Sequence, residues 1–186
     1  MSEEPLPTAG QTVGPFFGYA LPYEGGPELV PPHHPRAVLL TGTVYDGAGE
    51  PIPDALVELW QPDEDGDIPS TRGSLHRDGH TFTGFGRSAT NLDGVYQFWT
   101  LLPGALPGSH SAPFFSVLVL ARGLTDKLHT RIYLPAHEDA FVADPVLSSL
   151  SAGRRTTLVA RCEPDGSLRH DFHLQGEDET VFLDFE

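Results

Sequence analysis

The sequence holds one cysteine, Cys162, so no disulfide can close within the chain and nothing points to an oxidising compartment. Basic residues are scarce: 11 Lys and Arg stand against 26 Asp and Glu, a formal charge of −15. A chain this acidic repels phosphate backbones and anionic lipid, which argues against nucleic-acid and membrane-surface roles. No apolar run approaches the roughly 20 residues that a spanning helix needs. Residues 1–10 are acidic and carry prolines, unlike the basic-then-apolar layout of a signal peptide. The expected location is the cytoplasm. Catalytic signatures are missing as well: there is no H-E-x-x-H, no G-x-S-x-G, no P-loop and no dinucleotide fingerprint.

What the chain has in plenty is turn chemistry. Twenty glycines and 18 prolines in 186 residues suit a loop-rich all-β protein, and 39% hydrophobic residues can build a core. Prolines 5, 7, 15, 22, 27, 31, 32 and 35 preclude a regular helix over residues 1–37, which are expected to form an extended N-terminal arm. Residues 38–186 are expected to form the β-sandwich domain. Within residues 39–60, Leu40, Gly42 and Val44, then Ala55, Val57 and Leu59, recur at period two, the spacing of one strand face. Asp46-Gly47-Ala48-Gly49 and Pro51-Ile52-Pro53 supply the turn between these two strands. Further strands are predicted at residues 95–100, 114–121 and 129–134, with a closing hairpin from residues 156–161 and 168–174. Residues 144–150 read as a short helix or turn, and residues 180–185 as an apolar docking tail. About eight short strands joined by turns predict an all-β antiparallel β-sandwich with long loops.

Candidate metal ligands are plentiful but poorly placed. Gln61-Pro62-Asp63-Glu64-Asp65-Gly66-Asp67 has the alternating acids of a calcium loop, without its flanking helices or its glutamate at position twelve. His76 and Asp78 form H-x-D, the start of a ferrous facial triad that His170 or His173 could complete. They lie in a loop of small polar residues, however, where rigid ligands are not expected. His170 and His173, three apart on an inferred strand, should point to opposite faces. His33 and His34 are adjacent rather than convergent. Arg131 stands out differently, as a charge inside the predicted strand His129-Thr130-Arg131-Ile132-Tyr133. A buried arginine needs a partner: either a structural ion pair or a ligand carboxylate that its planar fork can grip.

Taken together the motifs resemble one family. Gln11-Thr12-Val13-Gly14-Pro15-Phe16, the run from Gly42 to Gln61, Phe85-Gly86-Arg87, Thr90, Asp93-Gly94 and Tyr96, Pro103-Gly104, Ala121-Arg122-Gly123-Leu124, residues 129–133 and the closing residues 176–185 are similar to the intradiol ring-cleavage dioxygenases. The resemblance implies the β-sandwich of that family and a ferric iron held by two tyrosines and two histidines. At the implied ligand positions this chain has Ile68, Leu106, Phe114 and Ser116, so it matches the α chain of two-chain members, with Fe(III) held by the β chain. No catalytic residue and no metal ligand is then expected here. The resemblance further implies that Thr12, Gly14, Pro15 and Arg131 bind substrate in the partner's site, with Arg131 near its carboxylate. The implied substrate is 3,4-dihydroxybenzoate, cleaved by O2 to 3-carboxy-cis,cis-muconate in a higher αβ oligomer. The alternative is a non-catalytic, transthyretin-like binding module, with which the Gly42, Val44, Asp46, Gly49 and Pro51 pattern is equally compatible.

Overall fold

The computed structural model describes Thr12, Gly14, residues 16–70 and residues 77–185. After a single helical turn, α1 (Phe17–Ala20), nine strands follow: β1 (Val38–Tyr45), β2 (Leu56–Trp60), β3 (Phe85–Ala89), β4 (Val95–Thr100), β5 (Phe114–Leu120), β6 (Leu128–Tyr133), β7 (Arg161–Cys162), β8 (Leu168–Arg169) and β9 (Phe172–His173). Between β6 and β7 lie a 3-10 segment, Pro135–Val142, and two short helices, α2 (Pro145–Ser149) and α3 (Ala152–Thr156). One sheet runs β3-β2-β5-β6 and is antiparallel throughout. The other runs β4-β1-β8-β7, with β9 also on β1. The architecture is the expected all-β sandwich, with one departure: β8 and β9 pair parallel to β1.

The two strands expected from residues 39–60 do form, but in opposite sheets. The turn between them therefore founds the sandwich by crossing it. Leu40 and Val44 from β1 meet Val57 and Leu59 from β2, Phe115, Val117 and Val119 from β5, and Phe98 and Phe172 in one buried cluster. Burying these aliphatic and aromatic side chains stabilises the fold by about 1.5–3 kcal/mol each. Thr90 welds the crossing turn to β3: its hydroxyl accepts from Ala55 N (2.9 Å) and donates to Ile52 O (2.7 Å).

The near-continuous apolar run Phe114–Leu120 alternates half-buried with fully buried positions. Phe115, Val117 and Val119 enter the core, which leaves Phe114 and Ser116 on the outer face of the sheet. The arm is bound to the sandwich by backbone bonds to Trp99 and Arg87 and by two arginine side chains. Arg87 pairs with the buried Glu58 (2.5 Å) and donates to Leu21 O, while Arg77 donates to Tyr23 Oη (2.7 Å) and Phe85 O (2.6 Å). The Phe-Gly-Arg motif thus serves arm docking. The outer edge of β6 is occupied by other backbone. Tyr133 N donates to Leu158 O, Ala160 N donates to Tyr133 O, and Leu183 N of the tail donates to His129 O.

Gly42 explains why β8 and β9 are two strands and not one. A Cβ there would land on the His170 carbonyl oxygen, which instead accepts from Tyr96 Oη at 2.7 Å. The ladder is interrupted at residues 170–171 over this bare patch of β1, where Asp171 turns in to accept from Thr43 N. Gly42→Ala should therefore cost about 3 kcal/mol or more, or prevent folding. Gly49→Ala, at φ 81° with open space around it, should cost about 1 kcal/mol. Urea unfolding of the two variants checks this contrast; equal costs would remove the close approach as the cause.

Candidate functional site

The outer face of the β2-β5-β6 sheet carries the site. Cross-strand register sets Trp60 opposite Ser116 and Ser116 opposite Arg131, with Phe114 opposite Tyr133 in the next row. Two loops close over these rows. Asp63 folds the first by accepting from Asp65 N (3.0 Å) and Asp67 N (2.9 Å), and Asp63 O accepts from Gly104 N (2.7 Å) of the second. At the crossing a Cβ on Gly66 would strike Ala105 O, and one on Gly104 would strike Glu64 O. Glycine at both positions lets the backbones touch, and this contact brings Ile68 and Leu106 to the same place.

The result is a cavity of about 230 Å³ lined by Ile68, Leu106, Phe114 and Ser116 together with Trp60 and Arg131. All four implied ligand positions share it. Three carry hydrocarbon side chains and the fourth a single hydroxyl, a poor ligand on its own. These residues do not fit a ferric ion. Among the described residues, no group of three His, Cys, Asp or Glu comes together as a ligand set.

Arg131 is the cation of this cavity. Its guanidinium carbon lies 4.0 Å from the centroid of the Phe114 ring, and Nη1 donates to Tyr133 Oη at 3.0 Å. Tyr133 Oη in turn donates to Asp144 Oδ1 (3.1 Å). Asp144 is fully buried, where its carboxylate accepts from Ala112 N, Val146 N and Leu147 N. It caps α2, as the Asp-Pro sequence at the helix start could have told. Burial pushes the Tyr133 phenol up to about 12, with the neighbouring Arg131 acting in the opposite direction.

The other candidates from the sequence are scattered. Thr12 is exposed and accepts from Gly14 N (3.3 Å), while Gly14 adopts φ 68° with open space where a Cβ would stand. Neither lines the cavity that Arg131 lines. Pro15 and His76 lie outside the described residues. Asp63 of the calcium-like run uses its carboxylate on its own turn. Asp78 likewise accepts from His80 N, Thr81 N and Thr81 Oγ1, bonds that hold its carboxyl below the usual range. His34 Nδ1 accepts from Arg36 N in a turn. His170 and His173 both contribute to a separate cavity of about 540 Å³, while burial alternates from Leu168 to Leu174 and leaves His170 buried and His173 half-buried, as opposite faces of a strand require. His173 stacks on Tyr45 (5.0 Å), and His170 is buried with its Nε2 unpartnered among the described residues.

The geometry agrees with relatives of known kind. A family model described as Dioxygenase matches residues 15–176. The protocatechuate 3,4-dioxygenase alpha chain of Burkholderia cepacia is 39% identical over 193 residues, covering 95% of this chain and 96% of that one. The protocatechuate 3,4-dioxygenase beta chain of the same species is 30% identical over 164 residues, covering 77% of this chain and 66% of that one. In fold, the chain is similar to the dioxygenase domain of a dioxygenase–carbohydrate-binding fusion from Streptomyces sp. SirexAA-E, with TM-score 0.59, 21% identity and coverage of 95% and 96%. The chain belongs to the intradiol ring-cleavage dioxygenase family. Within the family its similarity runs along nearly its whole length to an alpha chain, and members of the family use iron.

Burial of His170 lowers its pKa from 6.5 to about 4, because a charged imidazole is poorly solvated there. The unfolded chain binds this proton below about pH 6.5 while the folded chain does not until about pH 4. Stability from this group is thus present at neutral pH and lost as pH falls through that window, by up to about 3 kcal/mol. Urea midpoints at pH 7.5 and 4.5 should differ accordingly, and His170→Gln should flatten the difference. An unchanged pH dependence in that variant would exclude His170 as its source.

Proposed function

We propose that this chain is the α subunit of a protocatechuate 3,4-dioxygenase, lining the substrate pocket of a β partner that holds the Fe(III). Together the two chains would convert 3,4-dihydroxybenzoate and O2 to 3-carboxy-cis,cis-muconate, both oxygen atoms entering the product. The observation that carries this reading is the cavity itself. The family's four ligand positions converge in space, and none of the four side chains is a competent iron donor. The iron chemistry therefore has to come from another chain of the same fold, and the similarity to both an alpha and a beta chain supports such a pair.

This chain's share is binding and enclosure. In our reading the arm, residues 1–37, reaches from the sandwich domain, residues 38–186, into the partner's site with Thr12, Gly14 and Pro15. A Gly-Pro bend offers bare backbone that can approach a flat ring closely. Arg131 supplies positive charge for the ring carboxylate, through a planar fork suited to it. Several αβ pairs would assemble into the working oligomer. Nothing in this role needs a membrane, and among the described residues no helix is long and apolar enough to cross one.

Co-expression with a β chain tests the assignment. The α/β complex should contain iron and show the absorbance of a ferric tyrosinate, while the α chain purified alone should hold no stoichiometric iron. Iron bound by the α chain alone would overturn the reading. In the complex, Arg131→Ala should raise KM for 3,4-dihydroxybenzoate about 10-fold or more, the scale of a lost charged hydrogen bond, and leave KM for catechol nearly unchanged. Equal losses on both substrates would remove the carboxylate role.

A further inference from the structure

The side chains around Arg131 are built to hold its guanidinium still. A surface arginine samples many rotamers, and each bond it makes to a ligand must offset that lost freedom. Arg131 is restrained on two sides. Phe114 presents its ring face at 4.0 Å from the guanidinium carbon, within cation–π range, and Tyr133 Oη accepts from Nη1 at 3.0 Å. Tyr133 cannot swing away, because it is fully buried, donates to Asp144, and packs against Phe114 and Phe141 with ring centroids 5.7 and 5.9 Å apart. Asp144 is fixed in turn by three backbone N–H groups. Among the described residues Nε and Nη2 of Arg131 make no hydrogen bond within the chain, and no Asp or Glu lines the cavity to compete for them. The arrangement occupies one of the vacated ligand positions: Phe114 stands where the resemblance places a histidine ligand.

We propose that Phe114 and Tyr133 are positioning residues that hold Arg131 ready for a carboxylate, and so set the preference for carboxylated over plain catechols. The inference rests on the reading of Arg131 given above. Pre-ordering the guanidinium lowers the entropy lost when substrate binds, an effect felt in KM for the substrate that uses it and not in the chemical step.

The α/β complex carrying variants of this chain tests it, with 3,4-dihydroxybenzoate and catechol as the two substrates. Tyr133→Phe keeps the ring and deletes the hydroxyl. It should raise KM for 3,4-dihydroxybenzoate about 5-fold, with kcat and the catechol KM unchanged. The same change placed on Arg131→Ala should add nothing, since the group it positions is gone. Phe114→Leu should lower the selectivity similarly and Phe114→Trp, which restores a ring face, should recover it; this pair decides the matter if Tyr133→Phe fails to assemble. Equal effects on both substrates, additivity with Arg131→Ala, or selectivity retained in Phe114→Leu would each overturn the proposal. If Arg131→Ala is selective while the positioning variants are not, only this inference falls. If Arg131→Ala itself affects both substrates alike, the carboxylate role falls first and this inference with it.

Discussion

The pairing of β5 with β2 on one side and β6 on the other is the constraint on which the site depends. A strand alternates its side chains, so a shift of one residue in either pairing would send Ser116 and Phe114 into the core and expose Val117. Register is locked because the inward face is filled by Phe115, Val117 and Val119, all essentially without solvent exposure. The outward face inherits its order from this. Trp60, Ser116 and Arg131 stand in one row because the core beneath them tolerates no other alignment.

A second layer of order comes from backbone rather than side chains. The turns at residues 63–67 and 103–105 touch where only glycine leaves room, at Gly66 and Gly104. Their contact does not require the identity of residues 68 and 106. Isoleucine and leucine there are carried to the same cavity. Backbone contact of this kind separates the shape of the cavity from the side chains that line it, so the lining can change while the shape is kept.

Much of this was legible in the residues. The period-two runs and the Gly-Pro punctuation predict the sandwich and its loops, and the lone charge inside residues 129–133 singles out Arg131 for a partner, which the structure shows to be Phe114 and Tyr133. In the calcium-like run and the H-x-D motif, Asp63 and Asp78 spend their carboxylates on their own turns. What the pattern could not convey is long-range. Residues 39–60 read as two strands joined by a turn, and nothing in that pattern says that the turn sends them to different sheets. Nothing local to Gly42 says that the chain at His170 needs its missing side chain. The Arg131–Tyr133–Asp144 series was likewise hidden, since its members lie on a strand and a helix cap whose meeting depends on packing.

The tail and the residues after α3 have a consequence for the chain before it meets any companion. A strand at the margin of a sheet offers unpaired amide and carbonyl groups, an invitation to edge-to-edge aggregation. Here the outer margin of β6 is already taken: Leu158 and Ala160 bind the backbone of Tyr133, and Leu183 binds that of His129. The same few hydrogen bonds that finish the fold also withdraw β6 as a template for unrelated strands. This margin is thereby closed to strands that are not the chain's own.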